Sequence, residues 1–509
     1  MTVPAKLASV VTDPASMLPS QLRARAESEP GRPFLFEVTG RTATYGETWD
    51  GVRRWAGWLR GLGAGPGTRV ATLLPSSIDA ALAWLALGCL GALEVPVNPE
   101  LTGDFLEHVL HDAAPTLCLS RPEFAARIQE YRPELKIVPV ERGAAAALAA
   151  EPADLVDLPR PEDEACVIYT SGTSGPAKGV VLRWAQFAAL IGRMPLVPED
   201  VTYACFPMFH VTGRTPIATM CDVGGRVVFR ERFSASAAMD DVRRFGCTTG
   251  TYIAGLLLSQ PPRPDDADNP LRLVFSGHHT ELSEQFGERF AVGAYDCYGS
   301  TEAGFPLVRL ESPPDRERMW CGKCREGYQA LVVDDAGTPV EDGTAGELWI
   351  KGDSRLMLMD RYLNQPEATA KAFAGDWYRT GDIVIRHPDG NFEFLDRARD
   401  TIRRLGENIS STAVESVVDQ HPDLVAAAVL GVPDEIAGHE VLLVAEPEPG
   451  VKVDAAGLYD WLVPRVPKHA LPRYVVITDE LPRTPTRKIR KSVVLDSVDL
   501  AQAWSPAGR

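Results

Sequence analysis

The sequence predicts an α/β protein: a large N-terminal domain of layered α/β subdomains plus a small β-rich subdomain, followed by a small α+β C-terminal domain. Three observations predict it. At 509 residues the chain exceeds what one hydrophobic core usually serves. Over the first 160 residues, helical patterns such as TYGETWDGVRRWAGWLRGL alternate with short apolar runs such as RVATLLP, which suits helices laid on parallel strands. Beyond Asp396 the chain starts a second, compact helix-and-strand pattern. The expected domains are therefore 1–395 and 401–509, joined through 396–400.

Within the first domain, RGAAAALAAEPADLVDLPRPEDE reads as a surface connection into a buried strand, ACVIYT. The α/β pattern runs on to about residue 315, and then QALVVDD, GELWIKG and NFEFLD read as strands between Gly, Asp and Pro turns. The second domain gives a helix (TAVESVVDQH), two strands (VAAAVLGV and VLLVAEP), a helix (AGLYDWLVPRV) and a strand (YVVITDEL). No internal repeat is apparent.

Composition narrows the function. A formal charge of −17 would be repelled by nucleic acid and by anionic lipid, so neither is expected as a partner. The apolar run from Ala80 to Leu93 is too short to span a bilayer and reads as a buried helix. The N-terminal segment has one Lys and no continuous apolar stretch, so it does not read as a secretory signal and a cytoplasmic location is expected. Nine scattered cysteines are expected as reduced thiols. The CGKC pair, Cys321 and Cys324, has redox or metal spacing, but no helix follows it and no second ligand pair is nearby, so a structural role is expected.

The richest chemistry lies in YTSGTSGPAKGV, residues 169–180, directly after an apolar strand. Its glycines let backbone N–H groups approach an anion, Thr170, Ser171, Thr173 and Ser174 add hydroxyls, and Lys178 adds charge. It is not a Walker A loop, because Lys178 stands three positions beyond Gly175 and is followed by Gly179. Taken alone, a flexible polar surface loop is the competing reading.

This loop resembles the phosphate loop of the adenylate-forming superfamily, which comprises acyl-CoA synthetases, nonribosomal-peptide adenylation domains and luciferases. FPMFHVTG (206–213), YGSTEAG (298–304), YRTGD (378–382), DRARDTIRRLGENIS (396–410) and PRTPTRKIRK (482–491) follow in the superfamily's order, so the resemblance covers nearly the whole chain and is strongest to acyl-CoA ligases. It implies ATP, Mg2+ and coenzyme A as cofactors and a small carboxylic acid as substrate. The expected reaction forms acyl-AMP and pyrophosphate, then a thioester with CoA.

Residue by residue, the resemblance gives Thr170, Ser171, Gly172, Thr173, Ser174, Gly175 and Lys178 to the ATP phosphates. Gly277, His278, Asp296, Tyr298, Gly299 and Thr301 go to the nucleotide pocket. Thr301 can donate to a phosphate, and Glu302 offers a hard carboxylate oxygen to the metal. Asp382 suits a ribose, since a carboxylate accepts from two vicinal hydroxyls, with Arg397 assisting. Lys488 would stabilise charge as the carboxylate attacks the α-phosphate. His210 would sit beside the acyl carboxylate in a pocket with Thr251, Ile253, Ala254, Gly255, Gly299 and Gly304. Gly406 and Glu407 would line the CoA passage once the C-terminal domain, expected to be mobile, turns about a hinge at Arg399.

The chain departs from the pattern in three places. Arg487 stands where Gly is usual, Arg399 where Asp or Lys is usual, and Leu405 where a second small residue is usual. Adjacent His278 and His279 lack further ligands and suggest no metal. The segment 206–213 holds no acidic residue to pair with an ammonium, which disfavours a free α-amino acid and favours a hydrophobic acid. Two rival functions stay open: an adenylating enzyme that hands acyl-AMP to a separate carrier protein or transferase, and a non-catalytic nucleotide- or acyl-CoA-binding regulator. The C-terminal AQAWSPAGR carries no phosphopantetheine-serine motif, so a carrier would be a separate protein. A homodimer also stays open.

Overall fold

The computed structural model describes residues 7–506 apart from 102, 171–176, 192–193, 253, 277–280, 310–317, 398–401, 405–406, 410, 435–437, 467–469 and 484–487. It is a mixed α/β protein with a large N-terminal and a small C-terminal domain, as the sequence predicts.

Two sheets build the large domain. One has seven strands, and its parallel centre is Arg69–Leu73 between Leu93–Pro96 and Leu117–Ser120. Val70 to Leu73 are all buried, as expected for a parallel strand covered on both faces. Glu164–Thr170 joins Leu93–Pro96 in parallel and then turns back into Lys178–Arg183 as an antiparallel hairpin. Helix Ile78–Cys89 is the buried helix expected from the apolar run: every residue is buried, and the Ser77 hydroxyl caps it by accepting from Ala80 N at 3.2 Å. Among the described residues no helix is long and apolar enough to cross a membrane.

The other sheet has fourteen strands. Its parallel half runs Pro33–Glu37, Arg226–Phe229, Val201–Ala204, Thr249–Thr251, Leu273–Ser276 and Ala294–Ser300. At Gly304–Arg309 the chain doubles back antiparallel, and the strands read from sequence as β-rich continue that ladder through Trp320–Cys324, Asn391–Arg397, Trp377–Arg386, Ala345–Gly352 and Tyr328–Val333. The β-rich portion is thus hydrogen-bonded onto the parallel ladder. The CGKC pair lies in this region, in Trp320–Cys324, and all nine cysteines are free. Among the described residues no group of His, Cys, Asp or Glu is arranged to hold a metal.

The small domain has a five-stranded sheet in which Gly438–Pro447 is central, with Leu424–Asp434, Ile402–Arg404 and Tyr474–Ile477 as its neighbours. Helices Ser411–Val418 and Ala455–Leu462 cover it, and Val418, Val429, Leu443, Leu458 and Leu462 form a core separate from that of the large domain.

Candidate active site

A cleft of about 2250 Å³ brings residues from five of the sequence motifs together: Thr170, Lys178, His210, Gly299, Thr301, Glu302, Asp382 and Lys488 all line it. Lys488, the small domain's contribution, comes from the sixth.

The hairpin Glu164–Thr170/Lys178–Arg183 has Thr170 with Lys178 as its last backbone pair, so the sheet holds these two residues side by side. The Lys178 ammonium sits over the Tyr362 ring, 4.8 Å from its centroid.

His210 is the residue before helix Val211–Val223, with an extended backbone, so its side chain is projected from the helix start. It is half-buried and packs on Phe209 with ring centroids 4.6 Å apart. Burial pushes its imidazole down to about 4, and the Lys488 charge adds to that. The imidazole is therefore neutral at physiological pH.

Thr301 and Glu302 lie in the connection between Ala294–Ser300 and Gly304–Arg309. Gly299 is needed there, because a Cβ would fall 2.1 Å from the Gly304 carbonyl oxygen. The connection is held from three sides. Gln186 Nε2 donates to the Thr301 carbonyl at 2.8 Å, Met359 N donates to the Glu302 carbonyl at 2.7 Å, and the Tyr362 hydroxyl donates to Glu302 Oε1 at 3.0 Å.

Asp382 lies in a bulge within strand Trp377–Arg386. Glu347 pairs with Ile383 while Trp349 pairs with Arg379, and Gly381 takes up the extra length at φ +70. Tyr298 is buried and its hydroxyl donates to Asp382 Oδ2, so Tyr298 orients that carboxylate from behind and is not among the lining side chains. Asp296 also departs from expectation. It is fully buried and ion-paired with Arg309, its Oδ2 accepting from Arg309 Nε at 2.7 Å, which keeps it out of the lining. Thr251, Ala254 and Gly304 do not line the cleft either. The Thr251 carbonyl accepts from the lining residue Cys205, one layer behind the wall.

Ser171, Gly172, Thr173, Ser174, Gly175, Ile253, Gly277, His278, Arg399, Leu405, Gly406 and Arg487 lie outside the described residues. Of Gly255, Arg397 and Glu407 only the backbone is described, and Arg397 pairs with Asp382 in the sheet.

Comparison with known proteins decides the family. The model for AMP-binding enzymes matches residues 22–363, and that for the AMP-binding enzyme C-terminal domain matches 413–488. The chain belongs to the AMP-binding enzyme family. This AMP-binding enzyme is 32% identical over 440 residues to a medium/long-chain-fatty-acid–CoA ligase of Mycobacterium marinum, covering 81% of this chain and 83% of that protein. It is 29% identical over 499 residues to a sulfoacetate–CoA ligase of Cupriavidus necator, covering 94% and 97%. Among solved structures it resembles o-succinylbenzoate CoA synthetase from Bacillus subtilis in complex with its acyl-adenylate, at TM-score 0.83 and 25% identity over 94% of this chain and 98% of that one. ATP-bound MatB from Rhodopseudomonas palustris shares the fold, with TM-score 0.83, 24% identity and the same coverage. At the level of the family, the activity is acyl-CoA ligation with ATP, Mg2+ and coenzyme A.

The donor set of this AMP-binding enzyme fits the metal: Glu302 is a carboxylate on the cleft wall, and Tyr362 engages one of its oxygens. Glu302 would hold Mg2+, which when bound supplies positive charge to the ATP phosphates. Sequence reasoning missed Tyr362 and Gln186, which fix Glu302, because nothing near them in the chain resembles a site. It also missed Arg214. This fully buried guanidinium donates to the Met208 carbonyl at 2.7 Å and to Glu94 Oε2 at 2.6 Å, and lies over the Trp84 ring. It thereby fixes the turn that delivers His210. An arginine four residues after that histidine was the available signal.

Proposed function

We propose that this enzyme activates a hydrophobic, non-amino carboxylic acid and transfers it to coenzyme A. The acid's carboxylate oxygen attacks the α-phosphorus of ATP, pyrophosphate leaves, and the CoA thiolate then displaces AMP from the acyl carbon. Thr170 and Lys178 face the phosphates, Thr301 and Glu302 the phosphates and metal, Asp382 the ribose, and Lys488 the developing charge. In this reading residues 1–395 hold ATP and the acid, 396–400 are the hinge, and 401–509 present Lys488 for the first step and the Gly406 segment for the second.

The observation that carries the hydrophobic substrate is the pairing of the arginines in the cleft. All six arginines on its described wall, Arg41, Arg121, Arg142, Arg230, Arg232 and Arg379, are already ion-paired with carboxylates of the protein. No arginine is left over for a second acidic group on the substrate, whereas Phe206, Phe209, Phe229 and Phe305 offer apolar surface. The test is ATP–pyrophosphate exchange across fatty, aryl, dicarboxylic, sulfonated and amino acids, repeated with CoA and mass detection. Hydrophobic acids should support exchange best and yield thioesters. Better exchange with dicarboxylic, sulfonated or amino acids would overturn the substrate class. Acyl-AMP without thioester would point to a carrier protein or transferase as acceptor.

A further inference from the structure

Helix Gly103–Ala113 carries no motif, yet it reaches both stems of the phosphate loop. Its Leu106, Val109, Leu110 and Ala113 are buried in the core, which fixes the helix rigidly. His108 and Asp112, four apart and so on a neighbouring face, point at the hairpin. The Tyr169 hydroxyl, on the entering stem, donates to Asp112 Oδ2 at 2.6 Å. His108 Nε2 donates to the Ala177 carbonyl, on the leaving stem, at 2.8 Å. His108 and Tyr169 meet edge to face, and both also line the cleft.

Asp112 has a second partner. Asn364 Nδ2 donates to its carbonyl oxygen at 2.6 Å and to Oδ1 at 3.2 Å. Asn364 follows the short strand Arg361–Tyr362, which pairs with Lys178–Arg183, and Tyr362 in that strand holds Glu302. One helix face is thus tied to both ends of the loop and, through Asn364 and Tyr362, to the carboxylate that faces the metal.

We propose that His108 and Asp112 are positioning residues for the ATP polyphosphate, setting the spacing of the loop stems and their register against Glu302. The proposal rests on the reading, under the proposed function, of Thr170 and Lys178 as residues that face the ATP phosphates. Neither residue takes part in bond making: each acts through a backbone carbonyl or a hydroxyl next to Thr170 or Lys178. Preorganisation of this kind lowers the ordering cost of binding, so its loss appears in the affinity for ATP and leaves that for the acid alone.

The test compares His108→Ala and Tyr169→Phe with wild type in the full chain, by calorimetric binding of MgATP, steady-state KM for ATP and for the acid, and thioester formation from supplied acyl-AMP and CoA. Each variant should weaken MgATP binding and raise KM for ATP by about 3- to 10-fold, the size of one net hydrogen bond. KM for the acid and the thioester step, which involves no polyphosphate, should stay within twofold. His108→Gln, which keeps a donor on a side chain of similar reach, should recover most of the loss. Unchanged MgATP affinity in both variants would overturn the proposal, as would equal loss of both half-reactions in step with the folded fraction. Wild type that binds MgATP but makes no acyl-AMP would overturn the functional reading instead, while the binding comparison would still decide this one.

Discussion

Lys488 of the small domain faces His210 of the large domain closely enough that its charge adds to burial in depressing the imidazole, to about 4. The two residues are 278 positions apart in the chain and meet only across the cleft.

This pair can be read directly. A folded-state value of about 4 against 6.5 for the free side chain means that the unfolded chain takes up a proton first as pH falls. The resulting loss of stability begins below 6.5 and is complete near 4. An NMR titration of ring-labelled histidine, assigned with His210→Asn, should therefore show a midpoint near 4. Lys488→Ala should raise that midpoint part of the way towards 6.5, because burial, the larger cause, remains. An unmoved midpoint would mean that Lys488 does not approach His210 in solution.

Lys488→Ala should also separate the two half-reactions. Adenylation should slow by about 10²- to 10³-fold, the effect of removing one preorganised donor to developing charge. Thioester formation from synthetic acyl-AMP and CoA should be spared, since AMP leaves in that step after the small domain has turned to present the Gly406 segment in place of Lys488. Rapid-quench measurement of each step decides the matter, and equal loss in both would remove the step-specific role from Lys488.

Glu302→Gln keeps the shape of the side chain and its acceptor for Tyr362 but loses the anionic charge. Turnover should then require several-fold more Mg2+, with the thermal midpoint little changed. Tyr362→Phe should shift the Mg2+ requirement in the same direction by a smaller factor, because the carboxylate stays charged but loses its anchor. A Mg2+ titration superimposable on that of wild type for Glu302→Gln would discard the metal assignment.

What the sequence determined by itself was everything carried by short, contiguous stretches. Strand and helix periodicity set the layered α/β class, and the all-apolar run at 80–93 foretold a helix buried on every side. The motifs around Thr170, His210, Thr301, Asp382 and Lys488 pointed to residues that line one cleft. Tertiary structure alone decided which of these side chains reach the cleft. Asp296 sits in the same motif region as Thr301, yet its strand buries it against Arg309, an arginine that local pattern cannot pair with it. Tyr362, Gln186, Arg214 and the His108–Asp112 face were invisible for the complementary reason. Each is an ordinary residue whose partner lies up to 252 positions away, and the geometry that joins them exists only once the two sheets and the helices between them have packed.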